Sequence, residues 1–152
     1  MALFELHSRN LAQEQVAHTH DFHQLILATC GVTELSMEGH GERVTARRGC
    51  LIPSSRHHEY QGDGSNRTLV LDIPVAQLAS LEKGSEIERL FDKPRFFSVP
   101  PALNQLTHAL ANQLEQCPGL QNEIAILLLR ALTMYLHDAT PAAVGQLGQH
   151  CI

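Results

Sequence analysis

Three histidines, His18, His20 and His23, crowd the stretch HTHDFHQLILATCG at residues 18–31. Imidazoles this close serve as metal ligands, as hydrogen-bonding contacts for a small molecule, or as packed polar groups. In an extended strand, side chains two and four residues apart share a face, so His18, His20, Phe22 and Gln24 point one way and His23 the other. About forty residues further on, IPSSRHHEY carries His57, His58 and Tyr60. The same parity puts His58 and Tyr60 on one face and turns His23 and His57 outward. If the two segments are neighbouring strands, His18, His20 and His58 meet with Gln24 alongside. Three imidazoles with one open position can hold zinc, nickel, copper or iron.

Other reaction chemistry is poorly represented. There is no G-x-S-x-G elbow and no Gly-rich phosphate loop, and Cys30 has no base beyond the histidine cluster. Glu34, Glu38 and Glu42 fall near turn signals and read as solvated, so no pair of acids for proton transfer emerges. Asp72, in the apolar run LVLDIP, needs a partner if ionised: the alternatives are an acceptor role reaching into the pocket and, as the expectation, a backbone group or an arginine at the strand end. His7, His40, His108, His137 and His150 have no partner at useful spacing and read as surface or capping residues. Arg47 and Arg48 read as a solvated turn.

The elements that must position these residues change character near Pro74. Before it, Gly31, Gly39, Gly41, Gly49, Pro53, Gly62 and Gly64 break the chain into strand-length runs: QLILATCG, TELSME, ERVTARR, CLIP, HEYQ and RTLVLDIP. Short strands at this spacing indicate an all-β barrel or sandwich. EGHGER and GDGSN are the expected hairpin turns. After Pro74 the apolar period becomes helical. In GSEIERLFD, Ser85 and Glu88 have the spacing of a capping box. PPALNQLTHALANQLEQ sets Leu103, Leu106, Leu110 and Leu114 in one stripe, with Pro101 in the first turn and CPG at 117–119 as the stop. The following helix has a wide apolar face of Ile124, Leu127, Leu128, Ala131 and Tyr135. That width predicts burial on two sides, by the β half and by a second copy of the chain. The last residues, TPAAVGQLGQHCI, show no period and read as a linker or tail.

At 152 residues the chain fits one domain with a core of its own. The formal charge is −5 with scattered arginines and lysines, so direct nucleic-acid binding by this segment is not expected. Cys30, Cys50, Cys117 and Cys151 form no C-x-x-C pair, as for thiols in a reducing compartment. No targeting segment and no membrane-length apolar run is present, and the expected location is the cytoplasm.

HTHDFHQLILATCG followed by GCLIPSSRHHEY resembles the two signature motifs of the cupin superfamily. His18, His20, Gln24 and Gly31 fall into the slots of the first motif, and Gly49, Pro53, Ser55 and His58 into those of the second. Gln24 stands where the family has Glu, and Ser55 where it has a turn Gly. With LIP, NRTLVLDIP and the helical hairpin added, the chain from about residue 5 to 138 resembles the N-terminal sensing and dimerisation domain of AraC-type transcription regulators. The resemblance implies a mostly β fold with C-terminal helices. A cupin double-stranded β-helix barrel (jelly roll) at about 3–74 would be followed by an α-helical hairpin at about 75–138. It implies a single effector-binding and dimerisation domain over 1–140, with 141–152 as linker or tail. It also implies that DNA is bound only through a helix-turn-helix domain not included in this chain.

The expected function is therefore small-molecule sensing without catalysis. Effector contacts would come from His18, His20, Gln24, His58 and Tyr60, and homodimerisation from the helices at about 101–116 and 120–137. The alternative is a free-standing cupin metalloenzyme, a dioxygenase or isomerase, with His18, His20 and His58 as metal ligands beside Gln24. Replacing Glu by Gln removes a negative ligand and disfavours iron(II) and manganese, which moves the expectation towards sensing.

Overall fold

The computed structural model of the chain describes residues 4–9, 11, 21–62 and 64–137. The strands are β1 (Glu5–Arg9), β2 (Phe22–Cys30), β3 (Thr33–Met37), β4 (His40–Val44), β5 (Arg48–Ile52), β6 (His58–Gly62), β7 (Arg67–Pro74) and β8 (Arg95–Ser98). The helices are α1 (Val75–Leu78), α2 (Gly84–Leu90), α3 (Pro101–Gln116) and α4 (Gln121–His137). A 3-10 turn at Pro118–Leu120 joins the last two. The molecule is mostly β with C-terminal helices, as the sequence implies. The strands form two antiparallel sheets, ordered β1-β7-β2-β5-β8 and β4-β3-β6, and hydrogen bonding does not close them into a barrel.

Strand alternation sorts side chains into two cores. Ile26, Ala28, Leu35, Met37, Val44, Cys50, Ile52 and Tyr60 pack together between the sheets. Leu25, Leu27, Leu51, Leu69, Leu71 and Ile73 point the other way, into a larger core shared with the helices. The five-stranded sheet is thus covered on both faces, which is why QLILATC and RTLVLDIP read as nearly continuous apolar runs.

The β3–β4 hairpin turns at Glu38 and Gly39, with φ of 50° and 84°. Two consecutive positive φ values are what a type I′ turn requires, and EGHGER behaves as expected. GDGSN does not. It joins β6 in one sheet to β7 in the other, so it is a crossover instead of a hairpin. Its Asn66 is buried and exchanges hydrogen bonds with the Leu11 backbone, accepting at Oδ1 (2.9 Å) and donating from Nδ2 (2.7 Å).

Two strands, β1 and β8, lie outside the six runs picked out by alternation. β8 sits within the part read as helical and pairs with β5. β1 pairs with β7, and the Leu6 N–H at its other edge donates to Gln121 Oε1 of α4 at 2.7 Å. The helix calculus is also mixed. Pro101 opens α3 and Cys117 ends it, as expected. α2 has no side-chain cap: Lys83 at φ 61° is its N-cap, and Ser85 lies inside the helix.

Candidate functional site

A polar line crosses the otherwise apolar core between the sheets. On β2, Gln24 points inward with Ile26 and Ala28, and in the β2–β7 register it stands opposite Asp72. Gln24 Nε2 donates to Asp72 Oδ1 at 2.7 Å, and Tyr60 Oη donates to Gln24 Oε1 at 3.3 Å. A carboxylate only accepts, so the amide nitrogen must face Asp72 and the carbonyl oxygen must face Tyr60. The rings of Tyr60 and His58 meet edge to face with centroids 5.2 Å apart. His58 is fully buried, and its Nδ1 lies 3.4 Å from the Arg56 carbonyl oxygen.

Gln24, His58 and Tyr60 are therefore brought together, although β2 and β6 are not neighbours in one sheet. They belong to opposite sheets and meet across the interior. His18 and His20, the other members of the expected set, lie outside the described residues, as do residues 138–152. The partner of Asp72 is the Gln24 amide, not a backbone group or an arginine.

His23 faces away from Gln24, as parity requires, but that face is covered by helices. His23 is buried and stacks on Phe91 at 4.5 Å. Its Nδ1 accepts from the Ser54 N–H at 2.9 Å, so the proton sits on Nε2, which lies 3.1 and 3.2 Å from the two Glu88 oxygens. This is where the expected capping glutamate goes. His57 is exposed, as expected, and lies 3.8 Å from Glu59.

Two histidines without an expected partner have one. His40 Nε2 lies 2.9 Å from Glu42, and His7 Nε2 lies 3.6 Å from Asp72 and 3.8 Å from Glu5. The signal was available in Glu5-x-His7 and His40-x-Glu42, since residues two apart in a strand share a face. The hairpin carboxylates are also paired: Glu42 with Arg48, Glu38 with Arg56, and Glu34 with Arg43. The Arg48 guanidinium, then His40, holds the Glu42 carboxyl below the usual carboxylate range. Burial pushes the Cys50 thiol far above its ordinary range, which leaves it unreactive as a nucleophile.

The glycines of the two motifs are fixed by close approaches. A Cβ on Gly31, at φ 79°, would stand 2.6 Å from Asn66 Cα; one on Gly49 would stand 2.6 Å from the Phe97 ring. At the slot where the family has a turn glycine, Ser55 takes φ 65°, a left-handed conformation normally left to Gly. Two surface grooves lie elsewhere. One of about 370 Å³ runs over the outer side of the three-stranded sheet past Glu34, Ser36, Arg43 and Glu59. The other, about 860 Å³, lies along α2 and α4 past Ile87, Leu90, Leu127 and Met134.

The AraC-like ligand binding domain family matches residues 3–137. A probable transcriptional regulator, LumQ of Photobacterium leiognathi, is 24% identical over 132 residues, covering 82% of this chain and 50% of LumQ. The chain thus spans about half the length of that curated relative. Among solved structures, apo ToxT from Vibrio cholerae aligns with a TM-score of 0.52 at 14% identity, over 74% of this chain and 48% of ToxT. A cupin-2 domain protein from Shewanella frigidimarina aligns at a TM-score of 0.40 and 17% identity, over 46% of this chain and 68% of that one. With the family matched from residue 3 to the end of α4, this chain belongs to the AraC-like ligand binding domain family.

Proposed function

We propose that this chain is the small-molecule-sensing and dimerisation domain of a transcriptional regulator. The observation that carries the reading is the Asp72–Gln24–Tyr60–His58 line, a set of oriented polar groups in an apolar space. Such a combination fixes the orientation of an organic ligand while burial supplies affinity. A transcription role is supported by the family and by the likeness to LumQ over half of that protein. DNA binding would then belong to a separate helix-turn-helix domain. Gln24 spends both ends of its amide on protein partners, which supports an organic effector over a metal held through Gln24.

The route from the polar line to the helices is short. Gln24 faces the interior, and its neighbour His23 holds Glu88 of α2, which packs on α4. On α4, Leu127 is 48% exposed and Met134 69% exposed, an apolar surface suited to a second copy of the chain. An effector would act by preferring one arrangement of these helices over another, since equal affinity for both shifts nothing. The test is a fusion of this chain to a DNA-binding domain that represses a reporter only as a dimer. Repression should fall with Met134→Glu, and its response to effector should fall with His58→Ala. Repression that ignores both substitutions would defeat the reading.

A further inference from the structure

Away from the His58 end of the polar line, a second group of ligand-type side chains converges on the rim. Glu5 stands opposite Asp72 in the β1–β7 register, and His7, two residues on, shares its face. One ligand atom from each of the three lies within 4.8 Å of the others. His7 Nε2 is 3.6 Å from Asp72 Oδ2 and 3.8 Å from Glu5 Oε2. These separations are too long for direct hydrogen bonds, which run about 2.7–3.2 Å. They are close to the edge of a coordination polyhedron: two ligands bound tetrahedrally at about 2.1 Å lie about 3.4 Å apart.

The surroundings favour a cation as well. Asp72 Oδ1 is held at 2.7 Å by the buried Gln24 amide, which fixes the carboxylate and leaves Oδ2 on the His7 side. Outer hydrogen bonds of this kind orient metal-ligating carboxylates. Two carboxylates face one imidazole, and among the described residues neither Glu5 nor Asp72 forms an ion pair with Arg or Lys. Side-chain exposures of 67% for Glu5, 41% for His7 and 16% for Asp72 give an entry path and leave open positions to water.

We propose that Glu5, His7 and Asp72 form a binding site for a divalent transition cation, with one nitrogen and two oxygens of the zinc-binding type. Bound there, the ion would tie edge strand β1 to β7 and hold the carboxylate that orients Gln24. The site shares no ligand with the three-histidine set; it shares Asp72 with the interior polar line, but His7 and Glu5 lie outside that line, so their variants test the cation site apart from the effector reading.

The experiment is calorimetric titration of the intact chain with Zn²⁺ alone, with far-UV circular dichroism on each variant. One binding component should weaken at least about tenfold in both His7→Ala and Asp72→Asn, as for lost metal-site groups, and persist in His58→Ala. Glu5→Gln, at an exposed position that leaves the fold intact, should weaken the same component. Substituting Co²⁺ should give a visible absorption band that His7→Ala abolishes. Zinc binding lost in His58→Ala but unchanged in His7→Ala and Glu5→Gln would overturn the proposal, as would no zinc binding at all.

Discussion

At Ser55 a β-carbon sits where the backbone, at φ 65°, favours none. The left-handed conformation costs an L-residue about 1–2 kcal/mol, part of which Gly loses again through its greater freedom when unfolded. Ser55→Gly should therefore raise stability by about 0.5–1 kcal/mol, read from chemical denaturation. Gly31 is the opposite case. A methyl there would meet the Asn66 backbone as well as a positive φ. Gly31→Ala should cost about 2–3 kcal/mol in the same assay. Both positions could be marked from the motif spacing, but the reason for each lies in contacts with Asn66 and in the local φ, which no spacing contains.

Among elements, β2 links the two halves because its faces serve different layers. Gln24 faces the interior, while His23 is clamped between Ser54, Phe91 and Glu88. Glu88→Gln weakens a half-exposed charged hydrogen bond, so the expected loss is about 1 kcal/mol, a fall in Tm of about 2–4 °C for a chain of this size. Effector binding should persist while its effect on dimerisation declines. The β4–β5 corner adds a pH dependence. The Glu42 carboxyl is held below its ordinary range, so its contribution is present at neutral pH and lost as pH falls through that lowered value. For a partly exposed pair the contribution is under about 1 kcal/mol. Denaturation of Glu42→Gln beside the parent should show a gap at pH 7 that closes in acid.

Element identity was legible where period was strong: six strands, α3 and α4 follow from alternation and helical stripes. It failed where partners are distant in sequence. β8 is four residues long and takes its place from pairing with β5. Glu88 has the spacing of a capping residue but bonds His23, 65 positions away. GDGSN has hairpin composition, yet its flanking strands lie in different sheets. The inward side of Gln24, His58 and Tyr60 could be read from parity, whereas Asp72 as the partner of Gln24 required the β2–β7 register.

For the whole molecule, α4 presents apolar side chains both to the core and to the surface. Ile124, Leu128 and Leu132 enter the core, and Leu127 and Met134 remain on the surface. If that surface joins two chains, Leu127→Asp combined with Met134→Asp should weaken self-association at least about tenfold in sedimentation velocity, a loss typical of central interface residues. The most direct test of the effector site is a thermal-shift titration of the chain with a panel of small organic compounds, run beside His58→Ala and Tyr60→Phe. The interior line predicts saturable stabilisation by a compound whose apparent affinity falls about tenfold in His58→Ala and less in Tyr60→Phe. Equal, saturable shifts in all three proteins would contradict it.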